Sequence, residues 1–155
     1  MTLIESERPA GDAERSDAIA AWGSIIKSVG LTNRRLHAGL RREFDLGEAE
    51  VDTLVTLGAD GSHRATMTAL ATSAAFTSGG YTKIADRLEQ RGLLQRVQDT
   101  TDRRVTLLEL TEQGIAMSGR VRAHIAAFLA TEVVGPLGMP TVHEVAEALG
   151  ALHSA

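Results

Sequence analysis

The sequence predicts a mainly α-helical chain with one small β-hairpin. Apolar residues recur at helical spacing through most of its length. Only one pair of segments, 93–98 and 104–110, reads as strands, and the polar run Gln98-Asp99-Thr100-Thr101-Asp102-Arg103 between them supplies turn-forming side chains. Aromatic residues make up 3% of the 155 residues, so a core must come from Leu, Ile, Val and Ala. The hydrophobic content of 43% is enough for one domain with helical extensions.

Each element has its own signal. Residues 1–14 hold Pro9, Gly11 and scattered acids without periodicity, and are expected to be a disordered lead. A long helix is expected over 16–44, on the spacing of Ile19, Trp22, Ile25, Ile26, Val29, Leu36 and Leu40. Gly23 weakens it, and Gly30-Leu31-Thr32 is the place for a kink or interruption. After the break at Leu46-Gly47, residues 48–58 form a second helix with Val51, Leu54, Val55 and Leu57 inward. Gly58 to Gly61 is a turn, and His63-Arg64-Ala65 is a short strand leading into a helix over 66–73.

The next helix, 78–90, is capped by Thr77 or Ser78, buries Tyr81, Ile84, Ala85 and Leu88, and stops at Gly92. Beyond the hairpin, Thr111 opens a helix to about residue 134. Gly135-Pro136 and Gly138 punctuate, and Pro140-Thr141 starts a final amphipathic helix.

Composition excludes several classes. The absence of cysteine removes disulfides, thiol redox sensing and Cys-ligated zinc. His37, His63, His124, His143 and His153 show neither HxxxH nor HExxH spacing, so no metal site is expected. No nucleophile–base set or phosphate loop stands out; an enzyme and a bound cofactor are not expected. No apolar run approaches membrane-spanning length and the acidic start is unlike a signal peptide, which makes the cytoplasm the expected location. The net charge of −4 argues against nucleic acid, yet between Lys83 and Arg104 six bases stand against four acids. Placement outweighs the sum, because a groove-inserted patch focuses its field.

A helix followed by a basic hairpin suits a duplex: the helix fits a major groove while the tip reaches the neighbouring minor groove. The short helix from Met67, small Ala71 at the crossing and the helix bearing Tyr81 and Ile84 have the helix-turn-helix pattern. Three further runs sharpen it: Asp86-Arg87-Leu88-Glu89 with Gly92-Leu93 and Arg96; Asp102-Arg103-Arg104; and Leu110-Thr111-Glu112-Gln113-Gly114. In these residues the chain resembles the MarR family of bacterial transcriptional regulators, over nearly everything after residue 15.

The resemblance implies a winged helix-turn-helix homodimer. Residues 15–45 and 112–155 would be its dimerisation region, and 46–111 its DNA-binding region, reading a pseudo-palindromic operator. It also implies a repressor released by a small, often aromatic, ligand. The alternative is a winged-helix interaction module without specific DNA binding.

On that reading Thr77, Ser78, Gly79 and Gly80 form the leading end of the recognition helix, where backbone amides approach a phosphate or base edge; a plain turn and cap would look the same. Thr82 and Lys83 point away from the inner stripe, toward a thymine methyl, a guanine or phosphates, or simply toward solvent. Tyr81 is a packing residue or a DNA contact. Arg87 makes a phosphate contact or an internal ion pair, and Arg96 braces the wing or touches phosphate. In the family's wing one Arg enters the minor groove while Asp102 braces an Arg by a bidentate pair; alternation along a strand puts Arg103 and Arg104 on opposite faces. Trp22 and His37 line an effector cleft or pack in an interface. Asp52 falls where some relatives place a pocket acid, or faces solvent.

Overall fold

The computed structural model describes residues 11–73, 78–100 and 102–153. Two compact units meet within the first helix, at the Arg35–Leu36 step. Helix α1, Asp12–Phe44, starts earlier than expected, so residues 12–14 are helical rather than part of a disordered lead; residues 1–10 lie outside the described residues. It runs through Gly30 without the expected break, and Thr32 returns its hydroxyl to the Ser28 carbonyl at 3.0 Å. In the first unit Ile19, Trp22, Ile25, Ile26 and Val29 are all exposed.

The second unit holds everything from Leu36 onward. Helices α2 (Glu48–Ala59), α3 (Met67–Ser73) and α4 (Ser78–Gln90) precede a hairpin, and α5 (Glu112–Leu129) follows it. A π-helical turn, Ala130–Val134, passes into α6 (Gly135–Leu137), and at Gly138 the path bends by 95° into α7 (Met139–Gly150). Among the described residues no single helix is long and apolar enough to cross a membrane.

The hairpin strands β2 (Leu94–Gln98) and β3 (Thr106–Leu110) gain a third partner, β1 (Arg64–Thr66). The sheet order is β1-β3-β2, fully antiparallel, with Arg64 opposite Glu109 and Leu94 opposite Leu110. The small expected hairpin is therefore a three-stranded sheet. Its β1 edge sits directly before α3, which fixes the helix-turn-helix to the wing.

The core follows the predicted stripes. Val51, Leu54 and Leu57 of α2 meet Tyr81, Ala85 and Leu88 of α4, with Leu93 from the bend before β2, Leu94, Leu108 and Leu110 from the sheet and Val121 from α5. Each such buried aliphatic contributes roughly 1.5–3 kcal/mol relative to exposure. Tyr81 is fully buried with its hydroxyl 2.6 Å from Thr53 Oγ1, which decides for packing.

The junction of α4, β2 and α5 explains the motif residues. Leu93 N donates to Leu88 O (3.0 Å) and Gly92 N to Glu89 O (2.9 Å), closing α4 with a left-handed residue, Gly92 at φ 68°. Thr111 caps α5 by accepting from Gly114 N at 3.0 Å, and its hydroxyl donates to Gly92 O at 2.6 Å. A Cβ on Gly114 would lie 1.9 Å from Leu93 O, so only glycine fits there. Gly114→Ala forces backbone apart and should cost about 1–3 kcal/mol, as expected for an overpacked site. Urea unfolding checks it: an unchanged midpoint would mean that the junction yields without strain.

Candidate nucleic-acid interface

Helix α4 begins at Ser78, so Ser78 is its first helical residue rather than its cap; Thr77, the other capping candidate, lies outside the described residues. Gly79 and Gly80 complete the first turn, with Gly80 exposed. Lys83 is exposed on the same helix. Thr82 does not face freely outward. It is half-buried, with Oγ1 3.7 Å from Met67 Sδ, because α3 crosses α4 there.

Two of the predicted arginines are held internally. Arg87 Nε lies 3.2 Å from Glu50 Oε1, a carboxylate only 3% exposed, whose other oxygen accepts from Gly47 N at 2.6 Å to cap α2. Arg96 reaches from β2 back to α4, donating to Asp86 (2.6 Å) and to Glu89. Asp86 and Glu89 sit three residues apart, hence on one helical face, and together they form a fork for the guanidinium. Of the open readings, the ion pair holds for Arg87 and the brace for Arg96.

The wing tip is built by its own backbone. Asp99 N donates to Val105 O and Val105 N to Asp102 O, both at 2.9 Å. Carboxylates close the turn: Asp99 Oδ1 accepts from Asp102 N (3.1 Å), and Asp102 Oδ1 from Arg104 N (3.0 Å). Among the described residues of this tip Asp102 does not make the expected bidentate pair with an Arg side chain. Arg104 Nε approaches Asp102 no closer than 4.0 Å with its side chain 95% exposed, since the Asp102 carboxylate is engaged by the main chain. Because β3 starts only at Thr106, Arg103 and Arg104 both lie in the turn, and strand alternation does not separate them. Lys83 on α4 and Arg103 and Arg104 in the turn are exposed.

The three ligand candidates separate. Trp22 belongs to the first unit and is 48% exposed. In the second unit His37 Nε2 lies 3.5 Å from Glu48 Oε1, while His37 Nδ1 is buried without a hydrogen bond. Partial desolvation holds the Asp52 carboxyl above its ordinary range; His37 opposes this and Glu48 adds to it. Among the described residues no three His, Asp or Glu side chains gather as metal ligands.

Sequence reasoning gave no individual role to Glu50, Asp86, Glu89 or Arg91. The first three carried a signal in principle, acids at helical spacing opposite bases, but burial of Glu50 is invisible without the fold. Arg91 reaches across 46 residues, to the Asp45 carbonyl.

A three-stranded wing on a helix-turn-helix, with cations at the helix face and the turn, is a winged helix-turn-helix fold. The model of the MarR family matches residues 46–106 of this chain. The transcriptional regulator MhqR of Bacillus subtilis is 50% identical over 40 residues, which span 26% of this chain and only 28% of that protein. The fold is shared with AbsC, a MarR family transcriptional regulator from Streptomyces coelicolor (TM-score 0.80, 24% identity, covering 96% of this chain and 97% of that one). It is also shared with Sco3205 from the same organism, solved in complex with DNA (TM-score 0.79, 22% identity, covering 95% and 90%).

The raised Asp52 pKa has a stability consequence. A native carboxyl that holds its proton more tightly than the unfolded one favours folding below the unfolded value, ~3.9, and that contribution is lost as pH rises through the folded pKa. At neutral pH the charged Asp52 is therefore a penalty. Asp52→Asn should raise the urea midpoint at neutral pH, and the gain should shrink as pH falls through the carboxylate range. Equal midpoints at every pH would remove the desolvated environment assigned to Asp52.

Proposed function

We propose that the chain is a homodimeric transcriptional repressor that binds a pseudo-palindromic double-stranded operator in a sequence-specific way and releases it when a small effector, such as an aromatic one, binds. The observation that carries this reading is the wing tip. A turn closed by Asp99 and Asp102 presents the exposed side chains of Arg103 and Arg104, the latter 4.0 Å from Asp102 at its nearest, beside a helix-turn-helix. Such a turn is preorganised, so little conformational freedom is lost when Arg103 or Arg104 enters a minor groove.

Helix α4 supplies the major-groove element, with Ser78, Gly79 and Gly80 at its leading end and Thr82 and Lys83 along its face. Arg87 and Arg96 hold that element in place, while their remaining N–H groups stay available to phosphates. Homodimerisation fits the exposed apolar residues of each unit described alone: Ile19, Ile26 and Val29 in the first, Leu137, Val145 and Leu152 in the second. The effector reading rests on the half-buried His37 and the desolvated Asp52, with Trp22 as a third candidate contact. A regulator of this kind acts in the cytoplasm, on the nucleoid.

Selection from random duplexes should yield a two-fold-related consensus, with affinity falling steeply as salt rises. Arg103→Ala and Arg104→Ala should each weaken binding and lower the salt slope by about 1, as removal of one DNA-engaged cation does, without shifting the dimer's melting. If both variants bind like the unaltered chain, the wing does not touch DNA. If no sequence is enriched, the reading as a specific regulator is wrong.

A further inference from the structure

The C-termini of α1 and α4 converge on one corner of the second unit. Both ends expose unsatisfied carbonyls and carry negative partial charge, so bringing them together is unfavourable unless a cation lies between them. Arg91 is that cation. It stands at the end of α4, where its own N–H bonds back to Arg87 O (3.2 Å). Its guanidinium spans to the other helix, donating Nη1 to Asp45 O (2.6 Å) and Nη2 to Phe44 O (2.9 Å). Asp45 has φ 55°, the left-handed conformation that ends α1 and turns its carbonyl into reach. One turn earlier on α4, Arg87 grips the buried Glu50 at the start of α2.

Phe44 and Leu46 pack into the core at this corner, and the surface beside them is open. A cavity of about 140 Å³, lined by Arg41, Asp45, Leu46, Gly47 and Arg87, lies between the elements. Where side chains leave space, directional bonds set the alignment, and a bidentate guanidinium fixes angle as well as distance.

We infer that Arg91 is a positioning residue for DNA recognition: its fork from the end of α4 to the Phe44 and Asp45 carbonyls sets the angle at which the recognition helix is presented. This rests on the reading of α4 as a recognition helix in a homodimer. The interaction is one that sequence-specific binding needs and nonspecific binding does not. A tilted helix still meets phosphates, but it misplaces base contacts and relaxes the separation at which two half-sites are met.

The test uses the full chain and the operator it selects from random duplexes, with single base pairs inserted or removed between half-sites. Unaltered protein, Arg91→Ala and Arg91→Lys are compared for operator affinity across that series, for affinity toward scrambled duplex, and for melting temperature. Lysine keeps the charge but lacks the fork, so it serves if the alanine variant fails to fold. Arg91→Ala should lose about tenfold on the selected operator, the cost of roughly one base contact, and should show a flattened spacing preference with scrambled-duplex affinity unchanged. Arg91→Lys should fall between. Overturning results are a folded Arg91→Lys or Arg91→Ala with the original affinity and spacing preference, or an equal loss on operator and scrambled duplex accompanied by a lowered melting temperature. Failure of the unaltered protein to select any sequence overturns the DNA-binding reading instead, before a variant is measured.

Discussion

The wing stays where it is because two backbones touch. Where β2 leaves the end of α4, the Leu93 carbonyl lies beneath the first turn of α5, and Gly114 has no side chain to hold the two apart. Thr111 sews the same point from the other side, its hydroxyl on Gly92 O and its N–H on Leu93 O. Three elements thus share one crossing: the exit of α4, the base of the sheet and the start of α5. Any shift of α5 along its axis is felt at the hairpin base, and any shift of the hairpin is felt at α4. The leucines beneath this crossing give cohesion, whereas the crossing itself gives registry, since dispersion and burial are nearly indifferent to small slides and a backbone contact is not.

The same geometry sorts the basic residues. Arginines near the exit of α4 turn inward, toward Glu50, Asp86, Glu89 and the carbonyls of Phe44 and Asp45, and spend their directionality on alignment. Cations further out, Lys83 on the helix and Arg103 and Arg104 on the turn, remain exposed. A chain of net charge −4 can in this way present a locally positive surface: its acids in this region are taken up as braces and turn caps.

Much of this was legible in the sequence, and the misses are instructive. Periodicity located α2, α4 and α5 because each buries a stripe against one core, and the polar run 98–103 located the wing turn because carboxylates there bond main-chain amides. The helix-ending role of Gly92 was also legible. Glycine misled in α1, where Gly30 sits in a long helix whose hydrogen bonding carries through it; propensity is a small local term against many helical neighbours. The pairing of β1 with β3 was not legible, since 64–66 and 107–109 lie far apart and so short a strand has no pattern of its own. Whether Arg87 and Arg96 faced DNA or their own fold also stayed open, because the deciding fact, a carboxylate buried at Glu50 or paired at Asp86, is a property of packing.

Low aromatic content has a practical corollary. The chain has one tryptophan and one tyrosine, and they report on different surroundings. Trp22 stands half-exposed on the long first helix, whereas Tyr81 is enclosed on the inner face of α4 with its phenol bonded to Thr53. Indole fluorescence therefore reads whatever comes to cover that helix surface, while tyrosine ultraviolet absorbance and quenching read the integrity of the core. The protein carries two native optical labels that need no engineering: an indole excited selectively at the red edge of its absorption for the helix surface, and a phenol for the core.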